Sequence, residues 1–179
     1  MSGSAVNRGG VRFEHLPNVD HVDFQWWARM RNHSCNGATM EAAADALIEE
    51  IIPFIDANFR TVADQPHRAM AGLSMGGAYT HGITLAHLDK FSHIGMFSGG
   101  SIGPMDSPAL ADAKAFSQKV KVMFVSYGGK EKGAAAKTNS EALAKLGIKS
   151  VYYESPETAH EWQSWRRSLY QLAPLLFRD

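Results

Sequence analysis

Five residues in the middle of the chain, Gly72-Leu73-Ser74-Met75-Gly76, follow the pattern G-x-S-x-G. An apolar run, Arg68-Ala-Met-Ala-Gly-Leu73, precedes the serine, and the Ala/Gly-rich stretch from Met75 to His87 follows it. That order predicts a strand that turns sharply into a helix, with the serine at the turn and its Oγ thrust out at the C-terminal edge of a sheet. Small residues are expected at 72 and 76 because side chains there would collide with neighbouring elements. The bland alternative is a capping serine at the start of a glycine-rich helix. The chemical reading is a nucleophile, and a serine hydroxyl is a weak one until a base removes its proton.

The base has to reach the same sheet edge. In this arrangement the partners follow in chain order serine, acid, histidine, with the histidine after the last strand. Of eight histidines only His160 fits. It follows an apolar run at 148–153 and immediately precedes the final helical pattern. His67 lies upstream of the serine's strand, His93 begins a strand, and His81 and His87 lie along the helix beyond the serine. The acid that orients the imidazole and stabilises the imidazolium is expected in the loop after the preceding strand. Gly128-Gly129-Lys130-Glu131-Lys132-Gly133 offers one carboxylate, Glu131, although its flanking lysines also suit a solvated surface residue. Asp106 and Asp112 lie one strand earlier, and Glu157 is very near His160 in sequence. Met75, next after the serine, supplies one backbone N–H for an oxyanion hole. No early His-Gly segment offers the second, and Gly9-Gly10 is the early glycine pair. Trp162, just beyond the histidine, is a candidate for lining the acyl or sugar site and equally a candidate for the core.

The elements that would hold these residues alternate. Apolar runs at 68–73, 92–98, 121–127 and 148–153 read as strands, and patterns at 75–87, 108–117, 134–146 and 161–172 read as helices. Gly147 is placed as a C-terminal helix stop. Strands alternating with helices predict an α/β fold, specifically an α/β-hydrolase-like, mainly parallel sheet flanked by helices. Upstream, Leu47, Ile48, Ile51, Ile52 and Ile55 recur at helical spacing between Thr39 and Asn58, with Pro53 as a kink or break. Residues 1–38 divide into a small polar tail and an irregular segment with Trp26-Trp27, and 39–179 form the core domain.

Composition narrows the partners. Lysine plus arginine balances aspartate plus glutamate at 18 each, so no general attraction to nucleic acid or an anionic membrane is expected. No run approaches the ~20 apolar residues that span a bilayer, and the first ten residues lack the apolar core of a signal peptide. Cys35 is the one cysteine, which excludes an intramolecular disulfide. His15, Asp20, His21 and Asp23 have no spacing that would gather them on a metal, and surface polars are the favoured reading. No metal and no cofactor are expected.

Four segments carry a resemblance to carbohydrate esterase family one: Ile52-Pro-Phe-Ile-Asp56, His67-Arg-Ala-Met-Ala-Gly-Leu-Ser-Met-Gly-Gly77, Phe97-Ser-Gly99, and Ala159-His-Glu-Trp-Gln-Ser-Trp165 with the helix after it. That family includes feruloyl esterases and acetyl xylan esterases and is related to the esterase D group. The resemblance covers roughly residues 40–177. It implies a serine carboxylic ester hydrolase that is secreted and removes ester decorations from plant cell-wall xylan, with the family's serine and histidine on Ser74 and His160. The family's acid is usually aspartate, and the matching loop here holds Glu131 instead. Such enzymes normally carry several more N-terminal strands, and the roughly forty residues before the resemblance are too few for them at about 5 residues per strand. The strand before Ser74 is then expected to lie at an edge, covered by residues 11–24 or paired in a homodimer. Two other readings stand beside the xylan esterase: a catalytically impaired fragment that binds carbohydrate or self-associates, and a related small-ester or thioester hydrolase.

Overall fold

The computed structural model describes residues 37–178. The chain divides into two compact units, Met1–Ala43 and Ala44–Asp179. Of the first, the described part is the beginning of helix α1 (Gly37–Asp45). The segments expected to hold Trp26-Trp27, the His/Asp group at 15–23, Cys35, Gly9-Gly10 and the strand cover at 11–24 lie outside the described residues.

Four strands form one parallel sheet in the order β1 (Ala69–Leu73), β2 (His93–Phe97), β3 (Val122–Gly128), β4 (Ser150–Ser155). All three pairings are parallel, with Leu73 opposite Phe97, Phe97 opposite Ser126, and Gly128 opposite Ser155. Each strand is joined to the next through helix, as parallel neighbours require: α3 (Met75–Ala86), α4 (Ala113–Lys119) and α5 (Ala134–Lys145), with α6 (Trp162–Leu172) after β4. The α/β-hydrolase-like parallel sheet read from the sequence is the one observed. Among the described residues β1 pairs with β2 alone.

The period-two alternation of β2 and β3 divides the core between the faces. Ile94, Met96, Met123 and Val125 pack with Leu110, Phe116, Leu143 and Ile148 of the connecting segments on one side. Phe97, Val122 and Phe124 pack with Leu172 and Trp165 of α6 on the other. Gly95 lets α6 approach: a Cβ there would stand 2.6 Å from Leu172 Cδ2. These strands are buried on both sides and therefore read as nearly continuous apolar runs.

One helical reading gains detail and another is corrected. The helical stretch over 39–58 runs without interruption as α1, a π-helical turn at Ala46–Ile51, and α2 (Ile52–Asn58). Pro53 has no N–H to return to the carbonyl four residues back, and the widened turn falls just before it. The apolar face of this segment is half-buried at Leu47, Ile48, Ile51, Ile52 and Ile55. The helix over 108–117 is a 3-10 turn at Pro108–Ala111 followed by α4, because the Asp112 carboxylate accepts from Ala115 N at 2.9 Å and starts a new helix there.

Candidate active site

Ser74 stands between β1 and α3 with φ 53° and ψ −122°. A side-chain-bearing residue in that region costs about 1–3 kcal/mol, and the surroundings enforce it. Ser74 N donates to Phe97 O at 2.8 Å, while Ser74 O accepts from Gly77 N at 3.0 Å. The turn closes so tightly that a Cβ on Gly72 would strike the Gly76 carbonyl, and one on Gly99 would strike the Ser74 carbonyl. The crowding expected at Gly76 is absent: a Cβ there meets nothing within 4 Å, because position 76 is an outward point of the first helical turn. The crowded helix glycine is Gly77, whose Cβ would lie 3.0 Å from Gly99 Cα.

His160 arrives on the loop between β4 and α6. That loop is clamped to the end of β3. Gly129 N donates to Ser155 O at 2.8 Å and Lys130 N to Thr158 O at 2.8 Å. Ser164 Oγ, in the first turn of α6, lies within hydrogen-bond reach of Thr158 Oγ1 and Ala159 O of the same loop. Gly128 permits the approach, since a Cβ there would lie 2.5 Å from Thr158 O. The imidazole bridges two residues far apart in sequence. Nε2 lies 2.9 Å from Ser74 Oγ, and Nδ1 lies 2.8 Å from Glu131 Oε1. A carboxylate only accepts, so the proton of the neutral ring belongs on Nδ1. Nε2 is then free to accept from the Ser74 hydroxyl.

Glu131 is nearly enclosed, with 11% of its side chain exposed against 48% for His160. Its second oxygen, Oε2, accepts from Ser98 Oγ at 2.6 Å and from Gly128 N at 2.6 Å. Burial pushes its carboxyl pKa up, but the hydrogen bonds from Ser98, Gly128 and His160 outweigh burial and hold it below its ordinary value of 4.5. The carboxylate is therefore ionised at neutral pH and fixed in place. Of the two flanking lysines, Lys130 turns away from it: its Nζ pairs with Glu157 Oε2 at 3.8 Å on the surface.

The other acids are occupied elsewhere. Asp106 Oδ2 accepts from Gly103 N at 2.8 Å and stands 3.8 Å from His81 Nε2. Asp112 caps α4. Among the other histidines, His67 pairs with Asp64 at 2.6 Å and His93 is buried against Ser92 and Phe177. The described residues contain no group of three or more His, Cys, Asp or Glu able to hold a metal ion. Met75 begins α3, where a backbone N–H has no acceptor within the helix. Trp162 is 75% exposed and meets Trp165 edge-on at 5.2 Å between centroids, so it belongs to the surface beside His160 and not to the core.

Two residues at this site escaped the chemical reading of the sequence, Ser98 and Trp165. Trp165 Nε1 donates to Ser98 Oγ at 3.1 Å, and its ring meets His160 edge-on at 5.0 Å. Both lie within segments that carry the family resemblance, which was the available signal.

A serine, an imidazole and a buried carboxylate in this sequence of contacts can pass the serine proton to the ring as the oxygen attacks a carbonyl. The same ring can return the proton to a leaving alcohol.

The Esterase family model matches residues 9–176 of the chain. An endo-1,4-beta-xylanase/feruloyl esterase of Xylanibacter ruminicola is 44% identical over 140 residues, covering 78% of this chain and 18% of that protein. The CE1 ferulic acid esterase of the anaerobic fungus Anaeromyces mucronatus superposes with a TM-score of 0.61 at 19% identity, over 81% of this chain and 58% of that one. A fluorophosphonate-binding serine hydrolase of Staphylococcus aureus gives 0.56 at 16% identity, over 74% and 63% respectively. The chain thus spans about a fifth of the curated relative and under two thirds of these structural neighbours. No described helix is long and apolar enough to cross a membrane.

Proposed function

This chain belongs to the Esterase family, and on that footing we propose that it is a serine carboxylic ester hydrolase that removes feruloyl or acetyl groups from xylan. The observation that carries the proposal is the unbroken contact chain Ser74 Oγ, His160, Glu131, at 2.9 Å and 2.8 Å. Ser74 attacks the ester carbonyl while His160 Nε2 takes its proton. Glu131 holds the Nδ1 tautomer and stabilises the imidazolium. The Met75 N–H faces the developing oxyanion as one of its donors. His160 then protonates the departing sugar hydroxyl, leaving an acyl-serine. Water, deprotonated by the same imidazole, releases the acid and restores Ser74. No step requires a metal or cofactor.

The name of the Xylanibacter relative supports xylan-bound esters as the substrate class. The half-exposed His160 suits a polymer that must reach the ester from outside. Secretion belongs to the same proposal, since plant cell-wall xylan lies outside cells. So does pairing of two chains through β1, whose described strand partner is β2 alone. Sedimentation at micromolar concentration showing only monomer removes the pairing from the proposal.

The test of the activity is turnover of a generic aryl acetate together with labelling by a fluorophosphonate. Hydrolysis, with label attached at Ser74 and both lost in Ser74→Ala, is the expected result. Full activity in a folded Ser74→Ala protein overturns the reading. Comparing methyl ferulate with acetylated xylan then separates the two acyl groups.

A further inference from the structure

Ser74 and Ser98 occupy equivalent places on adjacent strands. Leu73 and Phe97 are register partners at the ends of β1 and β2, and each serine is the next residue. Both have positive φ, 53° at Ser74 and 51° at Ser98. Glycine adopts that region without a steric cost, whereas a side chain there is strained. At Ser74 the strain presents the nucleophilic oxygen. At Ser98, a residue only 8% exposed, it turns the hydroxyl toward the carboxylate of Glu131.

The hydroxyl has one proton, and its neighbours decide where it goes. Trp165 Nε1–H occupies a lone pair of Ser98 Oγ at 3.1 Å, and the carboxylate can only accept. The proton therefore lies on the 2.6 Å line to Glu131 Oε2. With Oε2 held from two sides, by Ser98 and Gly128 N, Oε1 is left for His160 Nδ1. The same tryptophan sets its ring edge against the imidazole at 5.0 Å. Trp165 thus touches His160 directly and reaches Glu131 through Ser98. Glutamate has one more rotatable bond than aspartate, so a carboxylate at this position has more freedom to lose.

We propose that Ser98, oriented by Trp165, is a positioning residue for the reaction: it locks the Glu131 carboxylate in the one rotation that holds His160 against Ser74. The inference rests on the serine-hydrolase reading above and deepens it.

The experiment measures aryl acetate hydrolysis and the rate of fluorophosphonate labelling for Ser98→Gly and Ser98→Ala, each alone and combined with Glu131→Gln. Ser98→Gly is the informative variant because glycine accepts the local φ and removes only the hydroxymethyl group. The expected result is a kcat about tenfold lower or more with KM within about twofold, labelling slowed by the same factor, and an effect of less than about twofold once Glu131 is already glutamine. Trp165→Phe, which keeps a ring beside His160 and removes the donor, is expected to lower kcat by about threefold. A Ser98→Gly protein with kcat unchanged overturns the proposal. So does a tenfold loss that persists in the Glu131→Gln background, because a merely structural serine would act there too. If neither Ser98 variant folds, an unchanged kcat in Trp165→Phe overturns it. A wild-type protein that takes no label and turns over no ester defeats the hydrolase reading instead, so the two failures are distinguishable.

Discussion

Gly72 and Gly76, the two ends of the G-x-S-x-G segment, stand in opposite steric situations: a Cβ on Gly72 would strike the Gly76 carbonyl, whereas a Cβ on Gly76 would meet nothing within 4 Å. The strand-to-helix turn around Ser74 therefore depends on one of them. Gly72→Ala forces the end of β1 away from the first turn of α3, a clash against backbone that no rotamer relieves. It is expected to cost about 1–3 kcal/mol of stability and most of the activity. Gly76→Ala places a good helix former in a helical position with open space and is expected to gain about 0.5–1 kcal/mol with activity retained. Chemical denaturation of both variants decides it; equal destabilisation by the two would contradict this picture of the turn.

Glu131 supplies the second test. In Glu131→Gln the amide can donate toward His160 Nδ1 as well as accept, which favours the tautomer with its proton on Nε2. That nitrogen then cannot take the Ser74 proton. A fall in kcat of roughly 10²–10⁴-fold with KM nearly unchanged is expected. Glu131→Asp keeps the charge but withdraws it by one methylene from an imidazole 2.8 Å away, and should recover only part of the loss. Steady-state kinetics with an aryl acetate measure both. A loss under about threefold in Glu131→Gln would mean that the carboxylate does not serve His160.

Much of this was legible in the sequence for a physical reason. β2 and β3 are covered on both faces, so their runs from His93 and Val122 carry few polar residues and stand out. The proximity of Ser74, His160 and Glu131 was readable because a parallel sheet brings its C-terminal loops to one edge, so loop position alone predicts it. Ser98 was not readable in that way. Its placement depends on a positive φ and on hydrogen bonds to Glu131 and Trp165, 33 and 67 residues away, and no spacing rule encodes either. Gly76 was misjudged because the motif treats both glycines alike, while only backbone geometry shows which one faces a wall. An irregularity in the helix over 39–58 was foreshadowed by Pro53, but its form, a π-helical turn at Ala46–Ile51 joining α1 to α2, has no sequence pattern that announces it.

His93 predicts a pH dependence of stability. It is buried, and burial pushes its pKa below the ordinary 6.5, with Lys149, Lys121 and His67 adding positive charge nearby. Its Nε2 accepts from Phe177 N at 3.2 Å, and its Nδ1 lies 2.7 Å from Ser92 Oγ. The unfolded chain takes up a proton at His93 near pH 6.5 while the folded one resists. The contribution is thus fully present above 6.5 and is lost as pH falls from there through the lower folded pKa. Unfolding midpoints should drop between pH 7.5 and 5.5, and His93→Asn should show a shallower drop over the same interval. Parallel pH profiles for the two proteins would mean that His93 is not the group responsible.

The last prediction concerns Trp162, one residue into α6 beyond the His160 loop. Its indole is 75% exposed and is propped edge-on by Trp165 at 5.2 Å, so its orientation is set by a residue that also touches His160. An exposed indole anchored on Trp165, which itself meets His160, offers a flat apolar surface to an aromatic acyl group or to the face of a sugar ring. A contact made equally before and during reaction lowers KM and leaves kcat alone. Aromatic contacts of this kind contribute about 0.5–1.5 kcal/mol, so Trp162→Ala should raise KM by roughly 2- to 10-fold, with kcat within about twofold. Because so little of the side chain is buried, the fold should lose about 0.5 kcal/mol or less. The kinetic effect can therefore be read without a stability correction. The substrate series then locates the contact. A KM increase for methyl ferulate but not for a small acetate ester places the feruloyl ring on Trp162, and an increase confined to acetylated xylan places the sugar there. If KM is unchanged for all three substrates, Trp162 is a surface residue with no part in binding.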